Sequence, residues 1–335
     1  MGIAVRFCVS GGSKHGMGHL YRCTKLADLI TRNTVSLSQI EFTGNLDTSA
    51  LKWFESGKFG PCWSGSIPGN PAALCVIDRM FDVVDMEKYD VDLIHKIAHH
   101  THDRILICSS QFLPAQLPID MAIGYLLQPD KNATYQIHTG LEFAPVEESV
   151  LDYRGQRRYI DEKINHCLIA FGNWGDAKAP LNCLSGLCDV GFKGKVSMIV
   201  PPAHRSFIDQ FKVAGDGLDL EFQAGVKDIY QALAATDLLL GSYGLLTYEA
   251  MTIGLPCVIV PVKRFMAEYG RSLTELGVAK LASNSIDGSI NDIVSIIQSM
   301  ECVTTRKGIR DQCDAIFDGK GLGRVAEIIG SRLNT

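Results

Sequence analysis

The stretch SGGSKHGMGHLYRC, residues 10–23, places glycines, two histidines and an arginine directly after an apolar run. Gly16 and Gly18 would let the chain turn tightly, and a helix that begins near Gly18 would point backbone N–H groups at a ligand. His19 lies in the first turn of that helix, where a neutral imidazole can accept a proton from water or a hydroxyl group. His15 is a second candidate on this loop. The alternative for His19 is simple packing at the helix start.

A second glycine loop, FGNWGD at 171–176, also follows an apolar run. Gly172 and Asn173 belong to a turn that can hold a phosphate through backbone amides, and a tight turn with a helix cap would use the same residues. Trp174 offers a flat face to a base or a sugar, or it packs the loop. The pattern therefore predicts either a ligand loop or a structural turn.

A third glycine turn, GSYGLLTYEA at 241–250, begins another helix and so forms a further candidate anion site. The turn consists of Ser242, Tyr243, Gly244 and Leu245. Glu249 lies on the same helical face as Leu245, and a carboxylate beside an apolar face suits the two hydroxyls of a ribose. An exposed helix glutamate is the alternative.

Two weaker features complete the polar candidates. Asp78 ends an apolar run, ALCVID, and would either position a substrate hydroxyl or cap the next turn. His95 and His99 have the i, i+4 spacing of metal ligands, but no glutamate of an H-E-x-x-H motif and no cysteine pair accompanies them. A solvated helix end explains these histidines better. The sequence therefore predicts no metal ion and no cofactor.

Composition narrows the class of protein and of partner. The 335 residues carry a net charge of −5, so no basic surface for nucleic acid or an anionic membrane is expected. Hydrophobic residues make up 46% of the chain, yet no apolar stretch reaches the roughly 18 residues of a membrane span. Five of the eleven cysteines lie in apolar runs and no C-x-x-C occurs, which favours a reducing cytoplasm. These five are Cys8, Cys75, Cys108, Cys167 and Cys257.

Short apolar runs alternate with helical patterns along the whole chain, which is typical of parallel α/β folds. The predicted strands are 3–10, 39–44, 73–78, 103–110, 166–172, 196–200, 218–223, 237–242 and 256–262. The predicted helices are 18–32, 83–100, 177–190, 203–213, 225–235, 244–253, 267–276 and 321–333. We expect an amino-terminal Rossmann-like domain at 1–145, a polar linker at 146–162, a second Rossmann-like domain at 163–320 and a final helix at 321–335.

Open parallel sheets bind ligands beyond the carboxyl ends of their strands. The three glycine loops all follow predicted strands. Two domains whose sheets face a central cleft would bring these loops to it. The cleft is an expectation from topology alone.

The order of these motifs resembles the UDP-sugar hydrolases of the pseudaminic acid pathway and related spore-coat polysaccharide proteins predicted to be glycosyltransferases. The resemblance begins with G-x-G-H-x-x-R, here Gly16 to Arg22, and continues through CVIDR, TGLEFAPVEESVLDYR and CLIAFGNWGD. It ends with DLLLGSYGLLTYEAMTIGLPCVIV, which also resembles the peptidoglycan lipid-linked N-acetylglucosamine transferases. The similarity spans most of the chain in the same order.

The resemblance implies the GT-B fold, a UDP-sugar substrate and no metal. His19 would be the general base for inverting attack at the anomeric carbon. Gly16, Gly18, Arg22, Asp78, Asn173 and Trp174 would contact the substrate. The nucleotide would lie on Gly172, Ser242, Tyr243, Gly244, Leu245, Glu249, Glu268 and Tyr269, with Glu249 on the ribose.

The chain departs from the family pattern at three places around the expected sugar pocket. Asp78-Arg79-Met80 replaces an aspartate–histidine–tyrosine run, Glu268-Tyr269 replaces Asn-Gln, and Tyr243-Gly244 replaces a serine pair. Hydrolysis of a UDP-sugar in nonulosonic acid or surface polysaccharide synthesis is the first expectation. Transfer of the sugar to a glycan or small-molecule acceptor is the first alternative. A nucleotide-sugar-binding protein without catalysis is the second alternative.

Overall fold

The computed structural model describes residues 2–12, 15–65, 70–78, 91–98, 100–108, 111–156, 160–172, 177–226, 228–286 and 288–333. The chain divides into two compact units. The first comprises Met1–Pro145 and Lys320–Thr335, and the second comprises Val146–Gly319. Within the described ranges, every helix is too short or too polar to cross a membrane.

The strands of the described residues are β1 (Ile3–Gly11), β2 (Ile40–Leu46), β3 (Ala72–Asp78), β4 (Thr101–Cys108), β5 (Met121–Gly124), β6 (Gln136–Thr139), β7 (His166–Ala170), β8 (Lys195–Ile199), β9 (Asp219–Gln223), β10 (Leu238–Gly241), β11 (Cys257–Ile259) and β12 (Lys280–Leu281). The helices are α1 (Gly18–Asn33), α2 (Thr48–Glu55), α3 (Val91–Ala98), α4 (Leu151–Arg154), α5 (Lys178–Asp189), α6 (Ile208–Ala214), α7 (Ile229–Ala234), α8 (Leu245–Ile253), α9 (Arg264–Glu275), α10 (Ile290–Glu301), α11 (Val303–Ile316) and α12 (Gly321–Leu333).

The first unit contains a parallel sheet with the strand order β2-β1-β3-β4-β5-β6. The chain moves from β1 to β2 on one side and then crosses to β3 on the other. The order therefore reverses between β1 and β3, and ligands of open α/β sheets bind at the carboxyl ends of such a strand pair. The final helix, α12, packs on α1 of this unit.

The second unit contains a parallel sheet with the order β12-β11-β10-β7-β8-β9. Its order reverses between β7 and β10. These two strands approach closely, since a Cβ added at Gly241 of β10 would lie 2.4 Å from the carbonyl oxygen of Ala170 in β7. The close approach explains why glycine ends β10.

Each strand predicted from the sequence is present within a few residues of its expected bounds. The cysteines expected in the core are buried there, as for Cys8 and Cys167. The short strands β5, β6 and β12, of two to four residues, were not predicted from the sequence, and neither were α2, α10 and α11. Of the helix predicted at 83–100, α3 is described, while 79–90 and residue 99 lie outside the described residues.

The segment at 146–162, expected as a linker, begins the second unit and packs on it. Arg154 of α4 donates from Nε to the carbonyl of Thr252 at 2.6 Å and from Nη2 to that of Phe317 at 2.5 Å. Further along the segment, the carbonyls of residues 161 and 162 accept from the buried Arg306. Hydrogen bonds at residue 154 and at residues 161 and 162 therefore hold this segment on one unit.

Candidate active site

The point where strand order reverses in the first unit brings the start of α1 to the end of β3. The strands β1 and β3 are adjacent and parallel, and Val9 of β1 pairs with Asp78, the last residue of β3. The loop after β1 leads into α1 at Gly18. His19 and Arg22, three residues apart on α1, share the helical face that meets Asp78.

His19 and Asp78 form a hydrogen-bonded pair. Nδ1 of His19 lies 2.7 Å from Oδ1 of Asp78, and the Asp78 side chain is fully buried. Burial alone would raise the pKa of Asp78, but the charge of Arg22 and hydrogen bonds from both partners lower this pKa to about 2. Nδ1 of His19 also lies 3.3 Å from Nη2 of Arg22, but the 2.7 Å contact with Asp78 is the shorter one, and an ionised carboxylate only accepts hydrogen bonds. We therefore assign the ring hydrogen to Nδ1. In the neutral ring, Nε2 therefore keeps its lone pair.

Arg22 binds both oxygens of the Asp78 carboxylate. Its Nε donates to Oδ2 at 2.6 Å and its Nη2 donates to Oδ1 at 2.5 Å, a two-point contact that fixes the carboxylate plane. Burial would lower the pKa of Arg22, but the charge and hydrogen bonds of Asp78, together with Tyr125 and Cys23, raise it above its ordinary value. The guanidinium also lies over the ring of Tyr125, with Cζ 5.5 Å from the ring centroid.

Asp78 and Arg22 were expected to contact a substrate. In the structure the Asp78 side chain has no exposed surface, and that of Arg22 is 7% exposed. Their charged groups are directed at each other and at His19, whose side chain is 20% exposed. Cys23 adds a weak contact, with Sγ 3.4 Å from Oδ2 of Asp78, and burial raises its pKa so that it stays a thiol.

The glycine loop before α1 closes on itself. The N–H of Gly12 donates to the carbonyl of Gly16 at 2.9 Å, and Gly16 has a φ of 72°, a backbone conformation that favours glycine. Gly18 has no such φ, and a Cβ added there would meet nothing within 4 Å. The turn requires Gly16, while the space at Gly18 leaves the backbone open to an approaching group. His15 lies half-buried in the loop.

The reversal point of the second unit joins the two other glycine loops. Ser242, after β10, donates from Oγ to the carbonyl of Phe171, after β7, at 3.3 Å. Gly172 follows with a φ of 65°. The expected substrate residues Asn173 and Trp174 lie outside the described residues.

The turn after β10 ends at the N-terminus of α8. Gly244 precedes Leu245, the half-buried first residue of the helix, and a Cβ added at Gly244 would meet nothing within 4 Å. Thr247 fastens the turn by donating from Oγ1 to the carbonyl of Ser242 at 2.7 Å. The arrangement presents the positive end of α8 at the edge of the sheet.

Two tyrosines expected at the nucleotide site are buried in an aromatic cluster. Tyr243 is 5% exposed, and its hydroxyl lies 2.9 Å from that of Tyr248. The Tyr243 ring packs on Tyr269 of α9, with centroids 4.9 Å apart. Glu268, beside Tyr269, is half-buried. The packing of Tyr243 on Tyr269 thus joins the turn to α9.

Glu249 is the fifth residue of α8 and is 6% exposed, so the alternative of an exposed helix glutamate is wrong. Its Oε1 accepts from the hydroxyl of Tyr230 at 3.1 Å. Tyr230 was not predicted from the sequence, and neither was Tyr125 of the first unit, because the strand before Tyr125 is only four residues long.

No group of three or more histidine, cysteine, aspartate or glutamate side chains in the described part of the chain is arranged to hold a metal ion. His95 lies exposed on α3, and its spacing partner His99 is outside the described residues.

No known family model matches the sequence, and no curated protein matches it. Solved structures do match its fold. The MurG protein of Acinetobacter baumannii is 13% identical, with a TM-score of 0.64 over 98% of this chain and 99% of that one. A UDP-glucosyltransferase from Polygonum tinctorium is 14% identical, with a TM-score of 0.62 over 99% of both chains.

A third structure, UGT2 of Phytolacca americana in complex with UDP-2-fluoro-glucose and pterostilbene, is 12% identical, with a TM-score of 0.64. The match covers 99% of this chain and 100% of that one. These likenesses, together with the two parallel sheets, confirm the fold expected from the sequence. The chain has the two-domain α/β architecture of the GT-B glycosyltransferases.

Proposed function

We propose that the chain is an enzyme that cleaves a UDP-sugar at its anomeric carbon, with His19 as the general base. The observation that carries the proposal is the His19–Asp78 hydrogen bond of 2.7 Å beside the fully buried, ionised carboxylate. A histidine oriented in this way offers Nε2 to the proton of a nucleophile. The pair lies where the strand order reverses, the usual ligand position of such sheets.

The proposed reaction forms a bond between the nucleophile oxygen and the anomeric carbon as the bond from that carbon to the diphosphate oxygen breaks. The nucleophile proton moves to Nε2 of His19, and UDP departs with the bonding electrons. Attack from the face opposite UDP inverts the anomeric centre. Asp78 stabilises the imidazolium that forms, and Arg22 keeps Asp78 ionised and oriented.

The second unit would bind the nucleotide. The turn from Ser242 to Leu245 and the Gly172 loop adjoin one another, and the N-terminus of α8 favours the negative diphosphate. Glu249 on the same helix would accept hydrogen bonds from the ribose hydroxyls. This assignment is based on the family resemblance of the GSYGLLTYEA segment, and the burial of Glu249 supports it.

Our first choice of nucleophile is a hydroxyl group of an acceptor, which makes the reaction a sugar transfer. The solved structures that share the fold over the whole chain include transferases by name, such as the Polygonum tinctorium glucosyltransferase. Hydrolysis is the second candidate, because the Gly16 to Arg22 motif resembles that of the UDP-sugar hydrolases. Both choices share the same base and the same leaving group.

The deciding experiment incubates the purified chain with a panel of UDP-sugars, with and without a mixture of sugar and glycan acceptors. Release of UDP that requires an acceptor supports transfer, and equal amounts of UDP and free sugar without acceptor support hydrolysis. Binding of UDP with no turnover under any condition overturns the catalytic proposal and leaves a nucleotide-sugar-binding protein.

A further inference from the structure

Tyr230 of α7 is a direct partner of Glu249 on α8. The tyrosine hydroxyl donates to Oε1 of the carboxylate at 3.1 Å, across 19 residues of chain. Glu249 is buried and Tyr230 is half-buried, so this hydrogen bond is shielded from bulk water. Hydrogen bonds to charged groups are stronger than those between neutral groups, and poor solvent access strengthens them further.

Other contacts fix the position of Tyr230 itself. The ring of Tyr153 on α4 packs edge-on against the Tyr230 ring, with centroids 5.6 Å apart and planes at 61°. The Tyr153 hydroxyl donates to Oδ2 of Asp228 at 2.8 Å. Asp228 is also the N-cap of α7, since its Oδ1 accepts from the N–H of Gln231 at 2.9 Å.

The helix that carries Tyr230 has only six residues, Ile229–Ala234. A helix of this length is not stable by itself, so its orientation depends on its cap and its packing. The aromatic contact with Tyr153 and the Asp228 cap therefore set the direction in which Tyr230 presents its hydroxyl. The terminal torsion of a glutamate is otherwise broad, and the hydroxyl selects one orientation of the Glu249 carboxylate.

We propose that Tyr230 is a positioning residue for the ribose of the nucleotide, and that Tyr153 supports it. A carboxylate offers about four acceptor sites, more than one hydrogen bond from Tyr230 and two from ribose hydroxyls require. Tyr230 acts by preorganising these sites before the nucleotide arrives. The inference rests on the proposed function, because it takes Glu249 as the ribose ligand.

The test measures the affinity of the full chain for UDP and for 2′,3′-dideoxy-UDP by titration calorimetry. We expect Tyr230→Phe to weaken UDP binding about 5- to 20-fold and to leave the affinity for the dideoxy nucleotide unchanged. Tyr153→Phe should weaken UDP about 2- to 3-fold, again with no effect on the dideoxy nucleotide. Glu249→Gln should remove most of the wild-type preference for UDP over its dideoxy form.

Tyr135→Phe is the matched control, since it deletes a tyrosine hydroxyl that donates to the carbonyl of Pro114 at 2.7 Å in the first unit. It should leave the affinity for both nucleotides unchanged. With a turnover substrate, Tyr230→Phe should raise KM and change kcat by less than about twofold, because the proposed role of the hydroxyl is in binding the ribose.

Each contrary result overturns a distinct part of the proposal. If Tyr230→Phe weakens both nucleotides equally, its role is general packing and the positioning role is wrong. If Tyr230→Phe matches the wild type while Glu249→Gln loses the UDP preference, Glu249 binds ribose without help and the positioning role is again wrong. A wild type that binds UDP and its dideoxy form equally overturns the ribose role of Glu249, and with it that of Tyr230. A wild type that binds no UDP overturns the proposed function as well.

Discussion

Nδ1 of His19 lies 2.7 Å from Oδ1 of Asp78, although 59 residues of chain separate the two. The strand order of the first sheet accounts for the contact, because β3 lies directly beside β1, the strand that leads into α1. Two local features, a glycine turn with a histidine and a strand that ends in aspartate, thereby become one hydrogen-bonded pair.

Removing the imidazole should abolish proton transfer and leave nucleotide binding intact. We expect His19→Ala to lower kcat by about 10²- to 10⁴-fold, the usual contribution of a general base. UDP affinity should be unchanged, because the proposed nucleotide residues lie in the second unit. The measurements are UDP release and calorimetry. His15→Ala, on the same loop, is the control and should keep activity within about threefold. Full turnover by the His19 variant would show that another group is the base.

Replacing Asp78 by asparagine should impair the same step through the imidazole. An amide at this position can donate to Nδ1, which moves the ring hydrogen to Nε2 and removes the lone pair needed there. We expect kcat to fall about 10²- to 10⁴-fold with little change in UDP affinity. Asp28→Asn is the control, since Asp28 is an aspartate of α1 that pairs with Lys58 and Arg32. Equal losses in the two variants would contradict a specific role for Asp78.

Asp78 should also make stability depend on pH in the acid range. Burial raises its pKa, but the Arg22 charge and the hydrogen bonds from His19 and Arg22 together outweigh burial and lower the pKa from an ordinary value of 3.8 to about 2 in the folded protein. A lowered carboxylate pKa stabilises the fold above the unfolded value and loses that effect as pH falls through the folded value. The difference corresponds to about 2 kcal/mol.

Urea unfolding followed by tryptophan fluorescence should show this dependence. The stability gap between wild type and Asp78→Asn should be widest near pH 7 and should narrow by about 2 kcal/mol between pH 5 and pH 2. A gap that stays constant over that range would mean that Asp78 has an ordinary pKa in the folded state.

Arg306 should be essential to the second unit for structural reasons. Its side chain is fully buried, and Nε, Nη1 and Nη2 donate to the carbonyls of Met300, Asp161 and Glu162 at 2.8, 2.8 and 2.7 Å. Arg306→Met leaves these carbonyls without their donors, and we expect a loss of about 3 kcal/mol or more in unfolding free energy. Lys307→Met changes the exposed neighbour and should cost less than about 0.5 kcal/mol. Similar losses in the two variants would be inconsistent with this role.

The close approach of β7 and β10 should make Gly241 irreplaceable. Alanine would place a Cβ 2.4 Å from the carbonyl of Ala170, so the strands must separate where the Ser242 turn begins. We expect Gly241→Ala to destabilise the protein by about 2 kcal/mol or more and to weaken UDP binding. The control is Gly308→Ala on α11, where an added Cβ meets nothing within 4 Å, and it should raise stability by up to about 1 kcal/mol. Unchanged UDP affinity in the Gly241 variant would argue against a nucleotide site at this turn.

The sequence alone determined the α/β class, the longer strands and the glycine loops, because hydrophobic periodicity and glycine placement are local properties of the chain. It singled out His19 in the first turn of α1 and Glu249 at the fifth position of α8. It missed β5 and β12, because runs of four and two residues carry no period of their own.

Only the tertiary structure decided which of these residues act together. Strand order placed Asp78 against His19, and burial distinguished Glu249 from an ordinary surface glutamate. Tyr230 had no signal in the sequence, since its contact with Glu249 depends on how a six-residue helix is capped and packed. Such pairings join residues far apart in the chain, and the free energy that selects them comes from the packing of whole elements.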